Sequence, residues 1–593
     1  MCGIFGFWLR RELRPDDLTI GRNGVQALAH RGPDARGEWI DMKRGIFLGH
    51  TRLSIQDLSP SSNQPMTRYG KTVVFNGEIY NFHELREELE KRGCVFSTSG
   101  DCEVLLAAWE TWGRDALNRF DGMFGVAMYE HDHLNLITDA FGEKPLYVLN
   151  KPEGLFFSSE PRALISSMGL QFNPTEEEIS QFLTLGFIPH PNTGFVGLEA
   201  LGPGVVRCYQ RSGEFHEREH WSLAEAPSRK RAIKSSDLDD LADILIDSIK
   251  KRLRSDVPFG LFLSSGVDSA LIAALASQEL RTPVESLTVS FKSGVDEGHA
   301  ASDIAQHFGL RHRVLDVGGD FSRESIPEEL IALYGTPNDN VSGLFVKRLA
   351  EIAKADMTVA LGGLGGDELF YGYNKYSFLH RYSLAYRVPY PWIKYFSGIK
   401  ALFPEGRVSR AFDMLSGDPA ERYIRVKNNG LGKLLDLGYF TTPNIPRISN
   451  KDDDLLLLAR NFDLRQTLPC SYAAAVDRGG MAAGVEIRTP YLCKQLFRFV
   501  DQFEARVFFN GGQKALLKAL LRRYLPDYLV DAPKRGFIYP IQDYLRRAPD
   551  KVPDGLNLYD TELVNYVWSR RSEKPFREIA LRLTIISTMY SEA

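Results

Sequence analysis

A chain of 593 residues exceeds one ordinary domain and predicts two or more. Its hydrophobic fraction of 44%, charged fraction of 25% and net charge of −4 describe a globular protein without the clustered Lys/Arg surface that nucleic acid requires. Six scattered cysteines show no CxxC or zinc spacing, and no apolar run reaches the roughly 18 residues a membrane span needs.

The chain opens MCGIFGFWLR, with Cys2 at the head of an apolar, strand-like run. The charged RRELRPDD follows, so a signal peptide is not expected and the cytoplasm is the expected location. From residue 1 to about 210, short β-rich runs alternate with turns: GIFGFWL, GIFLGHTRLSI, KTVVFNGEIYNF, FGVAMYE, LNLITDA, PLYVLN and GLFFSSE. They predict a mainly antiparallel, layered sheet structure, with helices at HELREELEKRG and DCEVLLAAWETWG. SLAEAPSRKRAIKSS (222–236) is small, polar and basic, and a linker is expected over 211–236.

The texture then changes. DLDDLADILIDSIKKRLRS carries Leu238, Leu241, Leu245, Ile249 and Leu253 on one helical face, acidic early and basic late. VPFGLFL, ESLTVSF, HRVLDV and MTVALGG are apolar runs separated by helical stretches, which predicts a parallel α/β sheet. Beyond about 375 the chain reads as mostly helical, so a second domain is expected over 237–593.

Several polar fragments sit in the β-rich half: HRGPD (30–34), HTRLSI (50–55), FNGEIYN (75–81), SGDCE (99–103) and GEKPLY (142–147). Each has an ordinary explanation alone. Asn76-Gly77 between apolar runs, for instance, is the pattern of a two-residue hairpin turn. Together with Cys2, and in this order, the set resembles the class II glutamine amidotransferase domain, an N-terminal-nucleophile hydrolase with αββα layers. The resemblance implies that Met1 is removed and that the Cys2 thiol, with its own α-amine as base, attacks glutamine's side-chain amide. It implies Asn76 and Gly77 as the oxyanion site, and Arg52, Glu78 and Asp101 as the glutamine-binding residues. One departure is Ala140 after Asp139, where the family often has arginine.

FGLFLSSGVDSALIAAL (259–275) is a strand, a small-residue loop and a helix, a geometry that presents hydroxyls and N–H groups to an anion. It lacks the GxxxxGK[ST] of a Walker A loop. It resembles the pyrophosphate-binding SGGxDS loop of ATP pyrophosphatases, with Ser265 at the first glycine. ALGGLGGDELFYGY (360–373), LPCSYAAAVDRGGMAAGVEIRTPYL (468–492) and APKRGF (532–537) extend the likeness. The resemblance implies ATP contacts at Leu263, Ser264, Ser265, Gly266, Val267, Asp268, Ser269, Val289, Gly362, Gly363 and Lys534, with magnesium on Asp268 and Asp367.

Glutaminase first and ATP pyrophosphatase second is the order of glutamine-hydrolysing asparagine synthetases. The resemblance implies an amidotransferase using glutamine, Mg-ATP and a carboxylate acceptor, aspartate by family. The acceptor passes through an acyl-adenylate, and ammonia reaches it by an internal tunnel. Leu364 stands where the family typically has glutamate, which opens the reading that another carboxylate, such as a uronic acid, is the acceptor. A non-catalytic binding protein is disfavoured, because Cys2, Asp268 and Asp367 are all retained. No nucleic-acid or membrane partner is expected; a homodimer is the assembly entertained.

Overall fold

The structure is a computed structural model that describes residues 2–223, 231–290, 297–316, 326–382, 419–427, 455–532, 541, 544–545 and 561–592. A pair of antiparallel sheets lies face to face in the N-terminal region. The first has the spatial order Leu198–Ala200, Tyr147–Lys151, Gly154–Ser158, Gly3–Leu9, Ile46–Arg52, Ala35–Asp41. The second runs Phe215–Glu219, Val205–Gln210, His133–Thr138, Gly122–Glu130, Lys71–Ile79, Met66–Arg68.

The period-two alternation of a strand explains the layering. In Gly3–Leu9, Ile4 and Trp8 point between the sheets and meet Val74, Ala127, Leu134 and Leu136 of the second sheet. Phe5, Phe7 and Leu9 point the other way and pack with Val25 and Leu164 of helices Pro15–Ala27 and Pro161–Met168. On the far face of the second sheet, Val73, Phe75 and Val126 pack with Leu85, Leu89 and Leu105 of helices Phe82–Lys91 and Asp101–Trp112. Four layers result, helix–sheet–sheet–helix, as expected.

One alternative is set aside and one sequence reading is corrected. Asn76 and Gly77 form no hairpin turn: strand Lys71–Ile79 runs straight through them, with Asn76 opposite Gly125 and Gly77 opposite Phe124. Residues 215–219 fall in the expected linker, yet they pair with Val205–Gln210 and carry the second sheet past residue 210.

The later region holds a five-stranded, all-parallel sheet in the order Arg311–Asp316, Glu285–Ser290, Phe259–Phe262, Val359–Leu361, Glu486–Arg488. The first strand in sequence, Phe259–Phe262, is central, and the chain order reverses between it and Val359–Leu361. Such a switch point opens a crevice at the carboxyl ends of the two strands, where open α/β sheets bind ligands. Helix Asp237–Arg252 forms on the predicted face and buries Leu241, Leu245 and Ile249. The described regular elements beyond Leu369 are helices, apart from strand Glu486–Arg488.

Candidate active sites

Cys2 immediately precedes strand Gly3–Leu9 of the first sheet and is 8% exposed. Its backbone N–H donates to Asn76 Oδ1 at 3.1 Å, and its carbonyl accepts from Arg31 Nε at 2.9 Å. Arg31 is fully buried and also reaches Glu160 (2.7 Å) and Asp477 (2.9 and 3.0 Å). Asp477 lies on helix Ala473–Ala482, so this pair ties the glutaminase-like layers to the later region of the chain. Burial pushes the Cys2 thiol up, so the thiolate needs a base beside it.

Asn76 Nδ2 is buried and has no hydrogen-bond partner among the described residues. An orphan buried donor beside a thiol costs folding energy and suits an anion that forms next to it. Gly77 has φ +151°, and a Cβ there would sit 2.1 Å from the Met123 carbonyl oxygen. Glycine is therefore required by the close strand approach.

Glu78 is buried, accepts from Gln56 Nε2 at 2.8 Å and lies 3.4 Å from Arg488 Nη2. Burial pushes its carboxyl well up, against the pull of Arg488. Asp101 opens helix Asp101–Trp112, accepts the Ile79 N–H at 2.9 Å and is pushed up to about 6 by burial. Arg52 is buried. Its terminal nitrogens are engaged by the Ser59 carbonyl (2.9 Å), Asn63 Oδ1 (2.6 Å), the Gln56 carbonyl (3.3 Å) and the Asp57 carbonyl. It shapes the loop after its own strand. Asp139 organises the GEKPLY loop by accepting the N–H groups of Phe124, Phe141, Glu143 and Lys144. Ala140 beside it is buried in the large core of the later region, which accounts for a small residue at that departure.

The second site lies at the switch point. Ser264 and Ser269 close the loop after Phe259–Phe262 with a 2.9 Å Oγ···Oγ contact, and Ser264 Oγ accepts the Gly266 N–H at 3.2 Å. Helix Val267–Ala274 then starts, with Asp268 in its first turn. The other loop, 362–367, follows Val359–Leu361. Its glycines permit the approach: a Cβ on Gly366 would meet Asp268 Oδ1 at 2.5 Å, and one on Gly363 would meet Asp268 Cβ at 3.1 Å. Leu263 and Val289 are buried in the flanking strands and loop. Leu364 is half-buried against the adjoining core. Lys534 lies outside the described residues.

The sequence reading missed Lys514. Its Nζ pairs with Asp268 Oδ2 and, at 2.5 Å, with Asp367 Oδ1. Against the effect of burial, the two carboxylates hold its ammonium above the usual range. The only local signal is GGQK before a helix; Gly511 and Gly512 have φ of +94° and +100° and turn the chain so that Lys514 faces the carboxylates. Arg488 was missed as well. It joins Glu486 (2.6 Å) and Glu78, while its own carbonyl accepts the Gly362 N–H at 2.9 Å. One strand end thus touches both sites.

Among the described residues no helix is long and apolar enough to cross a membrane. Two family matches cover the chain: a glutamine amidotransferase domain over residues 1–221 and an asparagine synthase domain over residues 240–573. Three relatives come from Bacillus subtilis strain 168. Asparagine synthetase [glutamine-hydrolyzing] 1 is 28% identical over 567 residues, covering 92% of this chain and 88% of the relative. Asparagine synthetase [glutamine-hydrolyzing] 3 is 25% identical over 566 residues, covering 91% and 87%. Asparagine synthetase [glutamine-hydrolyzing] 2 is 32% identical over 399 residues, covering 63% and 52%. With its amidotransferase layers followed by a parallel sheet whose switch point carries Asp268, Asp367 and Lys514, this chain belongs to the asparagine synthase family.

Proposed function

We propose that the chain is an ATP-dependent, glutamine-hydrolysing amidotransferase of the asparagine synthetase type, working in the cytoplasm. The observation that supports it best is the pairing of two separate sites in one chain: Cys2 with the orphan donor of Asn76, and the acidic switch-point crevice, bridged by strand Glu486–Arg488.

At the first site the Cys2 sulfur attacks the side-chain carbonyl carbon of glutamine. The oxyanion is received by Asn76 Nδ2 and the Gly77 N–H. The Cys2 α-amine takes the thiol proton and gives it to the departing nitrogen, ammonia leaves, and water then hydrolyses the thioester to glutamate and the free thiol. Glu78 and Asp101 receive the substrate's α-ammonium, and Arg52 its α-carboxylate through Nε–H, the guanidinium donor its loop contacts do not use.

At the second site a carboxylate oxygen of the acceptor attacks the α-phosphorus of ATP and pyrophosphate leaves. Ammonia attacks the acyl carbon and AMP leaves. The loop Leu263–Ser269 and Gly362–Gly363 cradle the phosphates, with Val289 beside the nucleotide. Asp268 and Asp367 would hold magnesium, which neutralises phosphate charge when bound. Two converging carboxylates beside a phosphate loop fit that ion, because magnesium takes one or two carboxylates plus phosphate oxygens. Lys514 holds the two carboxylates together and presents its ammonium to the same crevice. The relatives' names point to aspartate as acceptor. Leu364 favours a second reading, a different carboxylate, because leucine gives that wall no charge.

The direct test is pyrophosphate release with glutamine, Mg-ATP and a panel of acids, with amide nitrogen traced from labelled glutamine. Absence of release with every acid would sink the proposal. Two variants probe the glutaminase geometry. Asn76→Ala is expected to lower kcat for glutamine hydrolysis by about 10²–10³-fold with little change in unfolding temperature; an unchanged kcat removes Asn76 from the oxyanion site. Arg488→Met strands Glu78 and Glu486 without their cation. It is expected to cost about 3–5 kcal/mol of stability and to weaken glutamine binding, with partial recovery in Arg488→Met/Glu486→Gln. An unaltered unfolding temperature and KM would show that Arg488 is not their counter-charge.

A further inference from the structure

A cavity of about 470 Å³ opens beside the switch-point crevice, and no step described above uses it. Its walls come from far-apart segments: Phe187 in the N-terminal half, Tyr373 and Lys375 after the acidic loop, Lys427, Tyr472, and Arg582 on the last helix.

Its position follows from the backbone. Gly372 lies so close to Asp367 and Lys514 that a Cβ there would sit 2.1 Å from Asp367 Oδ1 and 2.1 Å from Lys514 Cε. Tyr373 is the next residue, and its hydroxyl donates to Glu368 Oε1 at 2.5 Å. Gln513, next to Lys514, donates from Nε2 to Asn374 Oδ1 at 2.9 Å. The same short segment is therefore the wall of the cavity on one side and of the crevice on the other.

Its charge is distinctive. Three cations, Lys375, Lys427 and Arg582, and two carboxylates, Asp339 and Glu578, line it. Lys375 is paired with Asp463 at 2.6 Å, and Arg582 with Asp339 at 2.6 Å. Lys427 has Thr467 Oγ1 at 3.2 Å as its hydrogen-bond partner, and no carboxylate forms an ion pair with it among the described residues. Its Nζ lies 4.8 Å from the Phe187 ring centroid and 5.7 Å from that of Phe462. Burial, and then the neighbouring Lys375, pull this ammonium down to about 7. A group held so is stabilised by an anion that enters the cavity. Thr467 and Tyr472 belong to a π-helical segment, Asp463–Tyr472, a rare form that costs regular hydrogen bonding and recurs at functional sites.

Resting on the adenylation reading above, we infer that this cavity is the acceptor pocket and that it takes a dianionic acid with a body larger than an amino acid. One carboxylate reaches the switch-point crevice beside Lys514 to be adenylated. The second acidic group pairs with Lys427. Tyr373, Tyr472 and Phe187 flank the body. The volume lies in the range of pockets for ligands of several hundred ångström cubed, well above the needs of aspartate alone.

The test uses the full chain with Mg-ATP and ammonium chloride, reading pyrophosphate release with aspartate and with N-benzoylaspartate as probes. The larger diacid is expected to have a KM at least tenfold lower than aspartate. Lys427→Gln is expected to raise that KM tenfold or more with kcat within twofold and the KM for ATP unchanged, and Lys427→Arg to restore it. N-Benzoylaspartate should also slow modification of Lys427 by trinitrobenzenesulfonate, followed by mass spectrometry of the intact-chain digest; this readout needs no turnover. If aspartate drives release with the lower KM and Lys427→Gln leaves it unchanged, the pocket assignment falls while the adenylation reading stands. If neither acid drives release yet the diacid protects Lys427, the adenylation reading falls, and the acceptor role with it. Failure of both readouts overturns the pocket outright.

Discussion

Cys2→Ala loses glutamine-dependent amide formation by about 10⁴-fold or more, the scale of removing a nucleophile, while amidation from ammonium chloride continues. The expectation follows from where the residue sits. The sulfur is at the head of a strand whose residues are paired on both sides with neighbouring strands of its sheet, so it is presented by a rigid element. Beside it lies a side-chain amide with one end engaged by the Cys2 nitrogen and the other end orphaned. Nothing in that arrangement reaches the switch-point crevice directly; strand Glu486–Arg488 intervenes. Removal of the sulfur should therefore stop the ammonia supply and spare its use. The base is tested separately. Burial pushes the thiol up, so an adjacent amine is needed to take its proton. N-terminal sequencing of active protein should start at Cys2, and a chain still carrying Met1 should be inactive with glutamine but active with ammonium. If Cys2→Ala loses both activities while folded, the two sites do not divide the reaction; if a Met1-bearing chain hydrolyses glutamine, the α-amine is not the base.

The layers were legible because their signals are periodic. Ile4 and Trp8 against Phe5, Phe7 and Leu9 is a period of two that only a strand buried on both faces satisfies. Helix Asp237–Arg252 was legible from its apolar stripe and its charge gradient. What the sequence hid was anything set by partners distant in the chain. Asn76-Gly77 carries the local chemistry of a turn, and the pairing with Gly125 and Phe124 overrides it. Strand Glu486–Arg488 has three residues, charged at both ends, inside a helical stretch; its charges are neutralised by Glu78 and by each other, which no window on the sequence reveals. Strand Phe215–Glu219 is exposed along its whole length, so it has no apolar face to announce it. Candidate residues fared the same way. Asp268 and Asp367 stand out by their small-residue loops, and the structure brings them onto one ammonium. Lys514 is one lysine among many until the fold closes.

Replacing Asp268 or Asp367 by asparagine, or Lys514 by methionine, is expected to cut pyrophosphate release by about 10³-fold or more, with basal glutamine hydrolysis largely kept. Each substitution preserves shape and removes one charge from a buried triad. Lys514 neutralises both carboxylates, and a Cβ on Gly363, Gly366 or Gly372 would crowd Asp268, Asp367 or Lys514. The three variants should nevertheless differ in their response to magnesium. An ammonium and a divalent cation compete for the same two carboxylates, so Lys514→Met leaves a pair of buried anions that bind the ion more tightly in the absence of ATP. Magnesium alone should raise its unfolding temperature by about 1–2 °C, the shift that roughly 1 kcal/mol produces in a domain of this size, and should do less for the natural protein. Asp268→Asn and Asp367→Asn keep the ammonium and halve the negative charge, so magnesium alone should do nothing for either. The contrast separates charge at the crevice from mere packing. If magnesium leaves Lys514→Met unmoved, the two carboxylates are not a shared cation site, and Lys514 is a structural counter-ion whose loss of activity must come from misplacing the loop at Gly372.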